Sequence, residues 1–198
     1  MFNSIRDVSV KNKDVVVRSD LNVPFKNGKI LDTSRIIESI PTLKLILRRK
    51  GRPIILSHFG RPKGNFNTSL SLKNILPCLI EYLGENVVFC DSLEQQEITN
   101  FISKCSPKVP ILIENTRFFD GEEGNSILTS KMFSNLGDLF CNDAFSSCHR
   151  AHASTVGIAK EIPSVSGLLL EKEIFALEST LANPTPPIVA IVGGAKIE

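Results

Sequence analysis

Four apolar stretches in this sequence are each followed directly by side chains that can bind an anion. Val15-Val16-Val17 leads into Arg18, Asp20 and Asn22, and Ile54-Ile55-Leu56 into Ser57, His58 and Arg61. Ile111-Leu112-Ile113 is followed by Glu114, Asn115 and Arg117, and Leu139-Phe140-Cys141 by Asp143, His149, Arg150 and His152. Arginine forks match phosphate and carboxylate with paired hydrogen bonds and stay charged at any working pH. Several of them on separate segments, with few carboxylates between, specify a small polyanion as the ligand. Arg35 joins this set because it follows Asp32, an expected helix cap, and a helix N-terminus itself attracts anions.

Taken singly, each residue has a plainer reading. A lone loop arginine is usually solvated or structurally paired. Asp20 and Asp143 fit turn caps or arginine orienters, and Asn22 before Val23-Pro24 fits turn chemistry. His58 and His152 fit core histidines, Glu114 an arginine orienter or surface acid, and Lys26 and Lys63 solvated charge. Near the end, Val192-Gly193-Gly194-Ala195-Lys196 fits a glycine turn that brings backbone close to a phosphate, or only a tight turn.

The elements that must position these residues are short and alternate in type. Strand-length runs recur at 15–17, 53–56, 87–89, 109–113, 139–141 and 188–192, with helical spacing between most of them. Such alternation argues for an α/β fold whose largely parallel sheet is covered on both faces, and ligands bind at the carboxyl ends of strands in such sheets. One helix is expected from Asp32 to Gly51, turning Ile36, Ile37, Ile40, Leu43 and Ile46 or Leu47 inward, with Pro41 kinking or restarting it. Others are expected from Ser69 or Ser71 to Gly84, from Ile127 to Gly137, from Ser154 to Lys160, and from Gly167 to Ala182. Asn183-Pro184-Thr185-Pro186-Pro187 then breaks the chain and is the best domain boundary.

Bulk properties narrow the field. With 198 residues, 42% hydrophobic and 22% charged, the chain can bury a core without staples. A formal net charge of +2 gives by itself no reason to expect nucleic acid or a membrane as partner. The cysteines, Cys78, Cys90, Cys105, Cys141 and Cys148, are odd in number and irregularly spaced, which reads as free buried thiols with no metal role. With no signal-like start and no spanning stretch, a cytoplasmic location is expected.

Together these segments resemble phosphoglycerate kinase. The motifs are RSDLNVP (18–24), DTSRI (32–36), SHFGRPKG (57–64), ENTRF (114–118), CHRAHAST (148–155), SGLLLEKE (166–173) and VGGAKIE (192–198), in the family's order along essentially the whole chain. The resemblance implies a three-layer α/β/α, Rossmann-like domain that binds 3-phosphoglycerate or 1,3-bisphosphoglycerate. A second domain in the family holds Mg-ATP or Mg-ADP as substrate, and the two close over a hinge. The implied reaction is phosphoryl transfer between the acyl phosphate of 1,3-bisphosphoglycerate and ADP, a glycolytic step catalysed by a monomer. It needs no protein nucleophile, and no metal is implied on this chain.

The resemblance further implies that Asp20, Asn22, Arg35, Ser57, His58, Gly60, Arg61, Arg117 and Arg150 form the substrate site. Within it Arg35 would be catalytic, with His58, Arg61, Arg117 and Arg150 at the far phosphate and Asp20 and Asn22 at the hydroxyl and carboxyl end. Gly193, Gly194 and Lys196 would begin the nucleotide site. Residues 1–166 would then be the phosphoglycerate domain, 167–187 a hinge helix and linker, and 188–198 the start of a nucleotide domain. Family members continue beyond the GGAK motif, so these 198 residues are expected to transfer no phosphate alone. FFDGEEGN after Arg117 and SSC before His149 depart from the family without touching any implied site position. The rival reading is a non-catalytic anion-binding or interaction domain on the same fold.

Overall fold

The structure is a computed structural model that describes residues 3–62 and 65–182, together with Pro184 and Val189. The β-branched run at Asp14–Arg18 forms strand β1, and a small hairpin of β2 (Phe25–Lys26) and β3 (Lys29–Ile30) follows it. Helix α1 (Ser34–Arg48) leads to β4 (Arg52–Leu56), and α2 (Leu76–Leu83) to β5 (Val88–Cys90). Next come α3 (Gln95–Lys104), β6 (Ile111–Ile113), α4 (Ile127–Ser134) and β7 (Leu139–Asn142). A wide π-turn at Ala153–Gly157 passes into α5 (Ile158–Glu161), then β8 (Ser164–Ser166) and α6 (Leu168–Ala182).

Six strands pair in the order β5-β6-β4-β1-β7-β8, and every pairing is parallel. Because side chains alternate across a strand, the two faces build separate cores. Val15, Val17, Ile55, Leu112 and Leu139 pack under α1 and α2. Val16, Ile54, Leu56, Ile111, Ile113 and Phe140 pack against Ile98 and Ile102 of α3, Phe133 of α4 and Ile158 of α5. The result is the expected three-layer α/β domain.

Several boundaries depart from the sequence reading for identifiable reasons. Helix α1 runs unbroken through Pro41. Its inward stripe uses Ser39 and Thr42, both buried, while Ile37 faces solvent. Ser39 satisfies itself on the Ile36 carbonyl at 2.7 Å, and the Thr42 hydroxyl accepts from the Leu168 N–H at 3.0 Å. Asp32 lies one residue before the cap position and accepts from the backbone and hydroxyl of Ser34 at 2.8 and 2.6 Å. Two single 3-10 turns, Thr68–Leu70 and Leu72–Asn74, precede α2 in place of one longer helix. Helix α4 ends at Ser134 with Asn135 as its C-cap, before Gly137. The sixth strand of the sheet is β8, whose Ser-Val-Ser sequence carries only one apolar residue; the run at 188–192 lies outside the described residues. Helix α3, with two buried residues in ten, gives an equally faint signal.

The outer edge of β8 is met by the chain's own start. The Ile5 N–H donates to the Ser166 carbonyl at 2.9 Å, and the Ser166 N–H to the Asn3 carbonyl at 2.8 Å. Of the cysteines, Cys90 and Cys141 are buried, Cys78 and Cys105 half-buried and Cys148 exposed; all are free. The burial expected of all five therefore fails at Cys148. No helix among the described residues is long and apolar enough to cross a membrane.

Gly137 shows how tightly β7 joins β1. A Cβ added there would lie 2.6 Å from the Asp14 carbonyl oxygen and 2.9 Å from Val16 Cγ2. Backbone cannot swing aside as a side-chain tip can. Gly137→Ala is therefore expected to destabilise the domain by about 1–3 kcal/mol, read as a lower urea midpoint at unchanged m-value; an unchanged midpoint contradicts the packing described.

Candidate active site: a cationic cavity at the switch point of the sheet

The sheet changes direction at β1. From β1 the chain goes to β4, on to β5 at the edge and back to β6 between them, then crosses to add β7 and β8 on the other side of β1. Neighbouring loops leave opposite ways at such a point and open a crevice beyond the strand ends. Six residues from five segments meet there around a cavity of about 160 Å³. Arg18 and Asn22 come from the end of β1, Arg35 from the first turn of α1 and His58 from the end of β4. Arg117 follows β6 and Arg150 follows β7, with Ser146, Ser147 and His152 completing the wall.

Arg18 anchors the floor. It is 1% exposed, and its guanidinium donates to the Ser19 carbonyl at 2.6 Å, Ser154 Oγ at 3.0 Å and His58 Nδ1 at 3.1 Å. Burial lowers its pKa, and Glu122 and Asp20 pull it back upward. Glu122, itself 1% exposed, accepts from the Ser154 N–H at 2.9 Å and from the Ser154 hydroxyl, and lies 3.9 Å from His152 Nδ1. Burial also lowers the His152 pKa, with Glu122 opposing.

Because an arginine N–H can only donate, His58 Nδ1 must accept. His58 is also pushed down to about 2 by burial and then by Arg18, Arg117, Arg150 and Arg35. It is therefore neutral, with its proton on Nε2: a hydrogen-bond donor that adds no charge to the cluster.

Asp20 lies beside the cavity, next to Arg35. It is buried, pairs with Arg35 and accepts from the Ser146 hydroxyl. Arg35 keeps 47% of its side chain exposed, so it is aimed by Asp20 without being consumed by it. Asn22 Oδ1 accepts the Gly60 N–H at 2.9 Å, and Ser57 Oγ the Leu21 N–H at 2.9 Å, which ties the first two strand-end loops together. Gly60 sits at φ +62°, where a Cβ would meet Leu70 Cδ2 at 2.5 Å. Its carbonyl accepts from Arg117 Nη1. Arg117 Nε lies 3.0 Å from Glu123 Oε1 but out of line for a hydrogen bond. Burial lowers the Arg117 pKa, Glu123 raises it, and Arg150 and Arg61 lower it further.

Other expectations resolve differently. Arg61 is exposed and near enough to Arg117 to repel it, yet it does not line the cavity. Glu114 is a buried brace: it accepts from the Ser71 hydroxyl at 2.6 Å and from the Leu72 and Asn115 N–H groups at 2.9 and 2.6 Å. Asn115 holds the loop after β4, accepting the Phe59 N–H and donating to the Phe59 and Leu70 carbonyls. Asp143 takes the cap alternative, accepting the Leu169 and Leu170 N–H groups at the start of α6. Its pKa is pushed up to about 7 by burial, against Thr42 and those N–H groups. Gly193, Gly194 and Lys196 lie outside the described residues, as does Lys63.

The two segments that depart from the family occupy no implied site position, yet they lie against the site. Ser146 and Ser147 of SSC line the cavity, while Glu122 and Glu123 of FFDGEEGN reach Ser154 and Arg117. An acid a few residues after an arginine was the available signal for the Glu123 contact. Four arginines thus surround a small cavity with no carboxylate in its lining, and burial keeps Arg18 and Arg117 from relaxing into water. What the arrangement can do chemically is hold a compact anion by several charge-assisted hydrogen bonds. Among the described residues no three His, Cys, Asp or Glu side chains cluster as a metal site would need.

Comparisons with known proteins bear on the family and the fold. The family model described as phosphoglycerate kinase matches residues 5–198. The chain is 43% identical over 196 residues to phosphoglycerate kinase of Roseobacter denitrificans, covering 99% of this chain and 49% of that one. It is 42% identical over 194 residues to that of Fervidobacterium nodosum, covering 98% and 48%. Among solved structures, phosphoglycerate kinase from Coxiella burnetii superposes with a TM-score of 0.86 at 38% identity, over 99% of this chain and 49% of that one. The enzyme from Pyrococcus horikoshii OT3 gives 0.84 at 30% identity, over 94% and 47%. The chain thus spans about half the length of the relatives it matches, and over that half it belongs to the phosphoglycerate kinase family.

Proposed function

We propose that this chain supplies the acid-substrate half of a phosphoglycerate kinase, the phosphotransferase that moves a phosphoryl group between 1,3-bisphosphoglycerate and ADP in glycolysis. The observation that carries this reading is the convergence of Arg18, Arg35, Arg117 and Arg150, with a neutral His58, on one cavity sized for a small anion. In it Arg117, Arg150 and the Nε2–H of His58 hold the far phosphate, and Asn22 with Asp20 receives the hydroxyl and carboxyl end. Ser57 and Gly60 shape the loop, and Arg61 contributes field from outside the wall.

Arg35 is the catalytic residue of this reading, because it is the cavity arginine left half in solvent, aimed by an ion pair across the opening. Phosphoryl transfer needs little covalent help from protein and much charge stabilisation, which a preset guanidinium provides. Residues 1–166 form the phosphoglycerate domain and 167–187 the hinge helix and linker, while 188–198 belong to a nucleotide domain that binds Mg-ATP or Mg-ADP, Gly193, Gly194 and Lys196 among its residues. The protein acts as a cytoplasmic monomer, and these 198 residues by themselves bind phosphoglycerate without transferring phosphate.

Three outcomes test this. Calorimetric titration with 3-phosphoglycerate should show saturable binding, weakened about 10- to 100-fold by Arg117→Ala or Arg150→Ala and only a few-fold by Arg61→Ala. No binding by a chain shown to be folded, or the same loss in all three variants, contradicts the site. Fused to the nucleotide half of a relative, the chain should gain transfer activity, and Arg35→Ala should cut kcat by roughly 10²–10³ with little change in KM. A fusion that binds both substrates and transfers nothing contradicts the assignment.

The third outcome concerns pH. His58 is held at about 2 in the folded state, below its ordinary value near 6.5. Between those values the unfolded chain binds the proton more readily, so His58 removes stability as pH falls below about 6.5. Asp143, pushed up to about 7, acts oppositely, adding stability as pH falls from 7 toward 4. Melting His58→Gln beside the parent should therefore show the variant losing less stability between pH 7 and pH 4; parallel pH profiles would show that His58 is protonated in the fold.

A further inference from the structure

The end of the sheet opposite the candidate active site carries a second charged feature. Lys13 stands before β1, Lys44 and Arg48 on the last turns of α1, Lys50 before β4, and Lys108 before β6. All five are exposed and line one groove of about 980 Å³, several times the volume of the arginine cavity. A strand of five residues separates the two sites by roughly 15 Å.

The acids nearby do not neutralise these cations. Asp14 is bound by Arg52 through two hydrogen bonds of 2.6 Å, which leaves Glu85 as the one other acid of the lining. Among the described residues none of the five cations makes an ion pair within 4.0 Å. In a chain of formal net charge +2 this is a local concentration and not a general basicity. Like charges gathered without partners repel, and an anion spanning them relieves that repulsion.

The type of cation says which anion. The arginine cavity fixes a compact ligand with buried forks; this groove presents four lysines and one arginine on solvated stems, which act as movable point charges. Such a surface fits a ligand by number of charges along a length, not by the shape of a single phosphate. Its apolar lining is Leu47, Leu83 and Pro107, along which lysine methylenes can lie. No aromatic side chain lines it, so the bases of a single strand would have no platform to stack on.

We propose that this groove binds inorganic polyphosphate, a linear chain of linked phosphates, at a site separate from the phosphoglycerate rim.

Calorimetry of the 198-residue chain with medium-chain inorganic polyphosphate at several salt concentrations tests this. Saturable binding is expected, weakening as salt rises. Lys44→Glu/Lys50→Glu/Lys108→Glu should reduce affinity by roughly tenfold or more and flatten the salt slope. Lys50→Gln alone should act in the same direction by a smaller factor, and Arg117→Ala/Arg150→Ala should leave binding unchanged. The proposal is overturned by undiminished affinity in a triple variant that melts like the parent, by loss of binding in the rim variant instead, or by no saturable binding at low salt. Equal affinity for poly-glutamate or for a single-stranded oligonucleotide of matched charge overturns it as well.

Discussion

A guanidinium buried at the end of the central strand must place its N–H groups on fixed partners, since water cannot reach it. Arg18 satisfies this by reaching its own loop at Ser19, the loop after β4 at His58 and the π-turn at Ser154. Three strand-end segments therefore meet on one side chain. Glu122 closes the arrangement from behind through Ser154, and the Arg18 carbonyl accepts the Asp143 N–H at 2.9 Å. Remove that guanidinium and the loops of the cavity lose their common reference point.

The same arrangement explains why the cavity tolerates so much charge. Arg18, Arg35, Arg117 and Arg150 repel one another, yet each is tethered: Arg18 to fixed acceptors, Arg35 to Asp20, Arg117 to the Gly60 carbonyl and Arg150 to His149 at 3.0 Å. Histidine at position 58 is instructive. Buried and surrounded by arginines it takes no second proton, so its Nε2–H contributes a donor without worsening the repulsion. The folded state thus holds a preset positive field over the cavity, and its cost is offset by the two cores on either face of the sheet.

Much of this was legible in the sequence because strand ends advertise themselves. Buried parallel strands read as apolar runs, and the polar residues immediately after them fall at one edge by the geometry of the sheet alone; that is why the sequence groups Asn22, Arg117 and Arg150. Arg61 was grouped the same way and lies outside the wall, because a loop that turns on Gly60 reverses which side chain faces inward. Glu122 and Ser146 were not legible, since their importance rests on contacts with Ser154 and Asp20, 32 and 126 positions away. Strand β8 was missed for a related reason: Ser-Val-Ser becomes a strand through its neighbours, β7 on one side and Asn3 to Ile5 on the other.

That last contact bears on how the molecule keeps to itself. An open parallel sheet ends in two rows of unpaired backbone groups, which are templates for adding a strand from another molecule. Here both border strands, β5 and β8, are three residues long, and the residues at the chain's start occupy the β8 border as a built-in chaperone would. At the β8 border sheet-to-sheet aggregation is thereby starved of a template. The exposed apolar side chains stand instead on helices and loops, among them Ile127 and Leu128 on α4 and Leu177 and Leu181 on α6, so apolar contact with other molecules runs through those side chains and not through the strands.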